Sequence, residues 1–181
     1  MSSRSVQLFK KVFEGVPEYL ASAPGRLEIL GNHTDYNQGY VLSGAVSQRT
    51  EFAMRAVKGS ICRIVSEMDG NVRILDLDKL RAGGGKKDWT TYVVGVICEI
   101  RKRGGEVGAF DAAVSSDVPL SAGMSSSAAL EMSAGFAFRE AFGLKFPLTD
   151  WARIGQGAEN NFVGVKSGLL DQFSSIFGRK N

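Results

Sequence analysis

Apolar and polar positions alternate in short runs along the first half of the chain and recur at helical spacing along much of the second. Residues 6–13 place Val6, Leu8, Phe9, Val12 and Phe13 on one side of a helix. Residues 21–31 mix extended apolar positions with Pro24 and Gly25, and residues 32–39 crowd turn formers and hydrogen-bonding side chains into one segment. Residues 40–46, 50–57, 61–66 and 72–77 read as strands. Turns at Lys58-Gly59-Ser60 and Met68-Asp69-Gly70-Asn71 predict an antiparallel meander. Gly83-Gly84-Gly85-Lys86-Lys87 reads as a flexible loop. Asp88 is expected to cap a helix over 89–103 that Gly104-Gly105 ends. A strand over 110–116, a loop of small residues and a helix over 128–142 follow. Pro147 breaks the chain, Thr149 is expected to cap a helix over 150–162, and residues 164–177 form the last segment. The expected fold is α+β, a mostly antiparallel sheet with helices packed on it. No repeat or internal boundary divides the chain, so a single domain over 1–181 is expected.

The stretch Pro119-Leu120-Ser121-Ala122-Gly123-Met124-Ser125-Ser126-Ser127-Ala128 stands between a strand and a helix. Backbone N–H groups at a helix start have no partner within the helix, and their partial positive charge suits a phosphate. Small residues let an anion approach the backbone, and serine hydroxyls add donors or a magnesium ligand. The GxxxxGK[ST] pattern of a Walker loop is absent. The plainer alternative is a serine-capped helix after a flexible loop.

With 181 residues, 44% of them hydrophobic, the chain can bury a substantial core. A net charge of +3, from 22 basic and 19 acidic residues, is nearly balanced. The short cluster Arg101-Lys102-Arg103 reads as a solvated helix end; a nucleic-acid footprint would need a larger basic stripe. Cys62 and Cys98 lack metal-site spacing and are expected to be reduced thiols in a cytoplasmic protein. No apolar run approaches membrane-spanning length, and no signal peptide is visible. A Ser-His-Asp triad or a histidine metal site would have to use His33, the one histidine.

Three polar clusters remain, at residues 24–39, 119–128 and 159–172. Together they would supply an anion cradle with hydroxyls, a group around Arg26, His33 and Asp35, and two acids, Glu159 and Asp171. Phosphoryl transfer calls for that inventory: phosphate donors, a magnesium ligand, a cation at the transferred group and a carboxylate at the attacking hydroxyl. Taken singly, each residue has a plainer reading: Asp171 a helix cap or surface acid, Glu159 a solvated acid, His33 a turn residue bonded to backbone, Arg26 an ion-pair partner.

The run from Ala23-Pro24-Gly25-Arg26-Leu27-Glu28-Ile29-Leu30-Gly31-Asn32-His33-Thr34-Asp35-Tyr36 to Leu42 resembles the galactokinase signature. The serine loop resembles the phosphate motif of the wider GHMP kinase superfamily, and Glu159 through Asp171-Gln172 resembles its third stretch, all in family order. The resemblance implies the ribosomal protein S5 domain 2-like fold of GHMP kinase N-terminal domains, with ATP and Mg2+ as cofactors. It implies that Arg26 stabilises the transferring phosphoryl group and that Asp171 is catalytic at the sugar C1 hydroxyl. Asn32, His33, Thr34, Asp35 and Gly168 would hold the sugar. Ser121, Ala122, Gly123, Met124, Ser125, Ser126 and Ser127 would hold the triphosphate, Ser66 would contact the nucleotide, and Ser127 with Glu159 would bind magnesium.

The expected activity is phosphorylation of galactose or a close relative. Alternatives are a galacturonate or arabinose kinase, or a sensor that binds sugar and ATP without turnover. The partners implied are a small sugar and ATP, with no nucleic acid and no membrane. Asn32 stands where the family has a glutamate that contacts the C6 hydroxyl, which removes a negative charge and would admit a C6 carboxylate. Glu28 stands for asparagine, Ser121 for glycine, Met124 for leucine and Leu170 for methionine. Family members are about twice this length, so a C-terminal domain absent from this chain is expected to complete the site.

Overall fold

The computed structural model of the chain describes residues 3–31, 34, 39–80, 88–120 and 122–179. The described residues form five strands and five helices: α1 (Arg4–Val12), β1 (Tyr19–Leu30), β2 (Leu42–Ala56), β3 (Ile61–Ser66), β4 (Val72–Asp76), α2 (Thr90–Lys102), β5 (Phe110–Ser116), α3 (Ser126–Phe142), α4 (Leu148–Ala158) and α5 (Leu170–Phe177). A π-helical turn, Glu159–Val163, continues α4. The α+β expectation stands.

The strands form one sheet in the order β1-β2-β5-β3-β4. Three of its pairings are antiparallel and β3 runs parallel to β5. The simple meander therefore needs correcting: β5, distant in sequence, inserts between β2 and β3. Its apolar register explains this, because Phe110, Ala112 and Val114 alternate with Asp111, Ala113 and Ser115 and all six are buried. A strand covered on both faces belongs at the middle of a sheet. The two strands expected over 40–46 and 50–57 are one 15-residue strand, β2, paired along β1. No glycine or proline interrupts Ser47-Gln48-Arg49, so nothing there turns the chain.

On one face of the sheet α3 packs against β1 and β2, with α2, α4 and α5 around it. Phe52, Phe110 and Phe138 meet ring to ring between sheet and α3, and Trp151 of α4 lies against Phe136 and Phe146. Gly95 allows α2 to approach α4, since a Cβ there would lie 2.7 Å from the Ala158 Cβ. On the other face α1 sets Phe9 and Phe13 on Val65 and Ala113. The N-cap of α2 is Trp89 rather than the expected Asp88; Asp88, one residue earlier, steadies the helix start, its Oδ1 accepting from the Thr90 N–H at 2.9 Å and the Thr90 hydroxyl at 2.5 Å. Thr149 is not the cap; α4 starts at Leu148, two residues earlier than expected, with Pro147 as N-cap. Both cysteines are free, and burial pushes the Cys62 thiol up to about 11. No described helix is long and apolar enough to cross a membrane.

Candidate functional site

Four elements bring the polar clusters together at one end of the helical face. Arg26 comes from β1 just past a register shift between Pro24 and Arg26. Gly25 fills that shift because a Cβ there would lie 2.6 Å from the Met124 carbonyl oxygen. The close approach lets the Arg26 N–H donate to that same carbonyl at 3.1 Å, tying β1 to the serine loop. The Arg26 guanidinium donates from Nε to Asp171 Oδ1 at 2.7 Å and from Nη1 to the Gly123 carbonyl at 2.5 Å, and its Nη2 forms an ion pair with the same carboxylate oxygen at 2.6 Å. Both side chains of this pair are mostly shielded, at 12% and 20% exposure, so their attraction is stronger than that of a surface pair.

Asp171 sits in the first turn of α5. Its second oxygen, Oδ2, accepts from the Ser125 hydroxyl. Ser125 precedes α3 in the left-handed region, with φ 48° and ψ 58°, and makes no side-chain cap. The plain serine-cap reading is therefore replaced: this hydroxyl reaches across to α5 and leaves the α3 amides without a side-chain acceptor. Two residues on, the Ser127 hydroxyl donates to Glu159 Oε1 at 2.7 Å. Glu159 is buried at 4% exposure, and its Oε2 has no hydrogen-bond partner. A serine hydroxyl and a carboxylate with an unclaimed oxygen are the hard donors that magnesium takes when phosphates and water complete its shell. Among the described residues no group of three or more His, Cys, Asp or Glu forms a metal site by itself.

Below this row lies a third acid. Glu131, one turn along α3 from Ser127, is fully buried, and its Oε2 accepts from Gln172 Nε2 at 3.0 Å. Burial, and then the charge of Glu159, push the Glu131 carboxyl well above the usual carboxylate range.

Two cavities adjoin these elements, one at α5 and one at the start of α3. An open cleft of about 1240 Å³ is lined by Ser43, Asn160, Ser167, Gly168, Leu170 and Ser174 among others. A smaller, mostly apolar cavity of about 210 Å³ is lined by Ser66, Met68, Trp89, Tyr92, Ser127 and Leu130 among others. Gly168 and Ser66 thus line different cavities, Ser66 sharing the smaller one with Ser127. Ala122 and Gly123 are exposed in the loop, and Ser126 opens α3 at the smaller cavity. The Thr34 hydroxyl lies 2.7 Å from the Gly31 carbonyl and 3.1 Å from that of Tyr40, closing its own loop. Asn32, His33, Asp35 and Ser121 lie outside the described residues.

Three site residues escape the sequence reading. Glu131 sits in an apolar run, and its only signal is the four-residue spacing from Ser127. Trp89 and Tyr92 read as helix interior, three residues apart, directly after the expected cap at Asp88.

Residues 91–179 match the GHMP kinases N terminal domain, and residues 7–56 match the galactokinase galactose-binding signature. These spans contain all three polar clusters. The chain belongs to the GHMP kinase family. Galactokinases of Thermotoga maritima and Thermotoga neapolitana are 40% and 43% identical to it, each over 88% of this chain and 43% of their own. The crystal structure of Lactococcus lactis galactokinase complexed with galactose superposes with a TM-score of 0.86 at 34% identity, over 96% of this chain and 46% of that one. A Methanococcus jannaschii mevalonate kinase, at 16% identity and a TM-score of 0.78, shares the fold. This chain spans less than half the length of the galactokinases it matches.

Proposed function

We propose that this chain is the N-terminal part of a sugar kinase that transfers the γ-phosphoryl group of ATP to the C1 hydroxyl of galactose or a close relative. The observation that carries the reading is the position of Asp171, held by Arg26 and Ser125 in the first turn of α5, whose neighbouring residues Leu170 and Ser174 line the open cleft. Relatives named galactokinase, and a galactose-bound structure among them, favour the sugar.

In this reading the sugar occupies the cleft at Gly168, with Asn32, His33, Thr34 and Asp35 contributing from the signature loop. The triphosphate lies along residues 121–127, where the backbone amides of α3 face its charge. The nucleotide base enters the apolar cavity beside Ser66, Trp89 and Tyr92. Ser127 and Glu159 would hold magnesium, which supplies charge neutralisation between the phosphates. Asp171 takes the proton of the C1 hydroxyl as that oxygen bonds to the γ-phosphorus and the bond to the ADP oxygen breaks. Arg26 remains charged throughout and faces the charge on the transferring group. The sugar hydroxyl would reach Asp171 at Oδ2, which accepts from Ser125 and has a second lone pair. A second domain of the kind expected from family length would cover the cleft and exclude water.

The test is coupled ADP release by the full gene product with Mg-ATP, across galactose, galacturonate, arabinose and N-acetylgalactosamine. We expect turnover on at least one sugar, and a fall of about 100-fold or more in kcat for Asp171→Asn. Preference for galacturonate would identify the selectivity that Asn32 introduces. Binding of sugar and ATP without turnover on any of the four would replace the kinase with a sensor.

A further inference from the structure

Ser127 and Glu131 are four residues apart and share one face of α3, and Gly155 and Glu159 are likewise four apart on α4 and its π-helical extension. These faces meet each other and the start of α5 in two layers. The upper layer holds Ser125 with Asp171 and Ser127 with Glu159. The lower layer is a single polar pair, Glu131 with Gln172, both at 0% exposure. Gln172 directly follows Asp171.

The lower pair is built to close tolerance. A Cβ on Gly155 would lie 2.7 Å from Gln172 Cγ, 2.7 Å from Met132 Cε and 3.0 Å from Glu131 Oε2. Only a glycine lets α4 approach the pair this closely. The remaining oxygens, Glu131 Oε1 and Gln172 Oε1, are buried without partners. A polar pair is costly in such a place unless its geometry matters, because apolar residues of similar volume would pack there without unpaired acceptors.

We infer that Glu131 is a positioning residue for phosphoryl transfer: by holding Gln172 it fixes the first turn of α5, and so sets where Asp171 stands relative to Arg26, Ser125 and Glu159. The inference rests on the sugar-kinase reading for its chemistry but not for its geometry. Glu131 touches no substrate, and it acts through the helix start that carries Asp171. Its role needs an acceptor for the Gln172 amide, and a glutamine at 131 supplies one while adding a donor for a neighbouring orphan oxygen.

The experiment compares the wild-type gene product with Glu131→Gln, Glu131→Leu and Gly155→Ala. Steady-state kinetics with the preferred sugar are paired with amide hydrogen exchange of residues 169–177, using residues 61–76 of the remote β3–β4 hairpin as reference. Glu131→Leu is expected to lower kcat by about 100-fold, the size of effect a small misplacement of a reacting group produces, and to speed exchange in residues 169–177 alone. KM for both substrates should stay within about two-fold, since the contacts made equally in ground and transition states remain. Glu131→Gln should keep both kcat and exchange protection. Gly155→Ala retains both polar groups but wedges them apart, and it reports the same pattern in milder form if the leucine variant does not fold. Wild-type kcat with unchanged exchange in residues 169–177, in either disrupting variant that folds, overturns the inference. So does a Glu131→Gln variant as impaired as Glu131→Leu, which would assign the effect to the carboxyl group itself. If the wild-type protein turns over no sugar, the kinase reading falls, and the exchange arm still decides whether this pair fixes α5.

Discussion

Ser125 is the only described residue other than glycine with a positive φ. An L-residue in that conformation costs about 1–2 kcal/mol, and the side chain that incurs it bonds Asp171 rather than the helix end. Strain that places a hydroxyl on a candidate catalytic carboxylate is what a functional site is expected to retain. Two substitutions separate the conformation from the contact. Ser125→Ala loses the hydroxyl and keeps the strain, whereas Ser125→Gly loses the hydroxyl and relieves it. The glycine variant should be the more stable of the two by about 1 kcal/mol in urea unfolding, with both showing reduced turnover. Equal stability of the pair would show that the left-handed conformation costs nothing here. The sequence presents three consecutive serines and cannot say which hydroxyl serves which partner, because the choice depends on α5, 46 positions away. The Arg26–Asp171 pair is harder still to foresee, its partners standing 145 positions apart. What residue types do convey is the inventory of phosphoryl transfer, and Arg26, Ser125, Ser127, Glu159 and Asp171 are the described members that the fold gathers.

At the scale of elements, α2 and the π-helical turn are joined through Glu99. This buried acid accepts from Lys102 Nζ at 2.5 Å, from Arg103 Nη1 at 2.7 Å and from Asn161 Nδ2 at 2.9 Å. Gly157 makes room for it, since a Cβ there would lie 2.6 Å from Glu99 Cδ. Burial alone would raise the Glu99 carboxyl, but the hydrogen bonds from Lys102, Arg103 and Asn161 outweigh it and hold the group below the ordinary glutamate value. A carboxyl depressed by folding contributes stability above its unfolded pKa of about 4.3, and that contribution is lost as pH falls through the folded value. Urea unfolding between pH 7 and pH 3 should therefore show a steeper acid loss for the wild-type chain than for Glu99→Gln. Parallel acid limbs would mean that Glu99 is not among the groups protonated on acid unfolding. The helix α2 that carries Glu99 is legible in the sequence to within a residue at each end, because Asp88 and Gly104 punctuate it. The π-helical turn is not, since residues 150–162 keep a single helical pattern across the change of hydrogen bonding at Glu159. Sheet order is likewise hidden: hairpin turns mark β3 and β4 as neighbours, whereas the parallel pairing of β3 with β5 is a long-range contact with no local sign.

Across the whole molecule, one sheet separates two kinds of polar chemistry. The helical face carries the candidate site. The opposite face carries Asp111, at 1% exposure, in the middle of the row Arg55–Asp111–Arg63 that crosses β2, β5 and β3 in register. Arg63 grips both carboxylate oxygens, from Nε at 2.7 Å and Nη2 at 2.6 Å, and Arg55 adds a third bond at 3.1 Å. Each guanidinium also lies over a ring of the N-terminal segment, Arg55 over Phe9 and Arg63 over Phe13. The row therefore pins α1 to the sheet as well as the strands to one another. Removing one partner of a fully buried pair costs about 3–5 kcal/mol. Arg55 and Arg63 keep 25% and 49% side-chain exposure, so water would compensate part of the loss. Asp111→Asn should then destabilise the chain by about 2 kcal/mol, read as a lowered urea midpoint with faster amide exchange in α1. Because Phe52, Phe110 and the body of α3 stand between this row and Asp171, the same variant should keep kcat and KM within about two-fold wherever it remains folded. Lost turnover in the folded variant would mean that the rear face governs the site through the sheet. Preserved turnover with reduced stability would assign the row to the fold and the chemistry to the helical face.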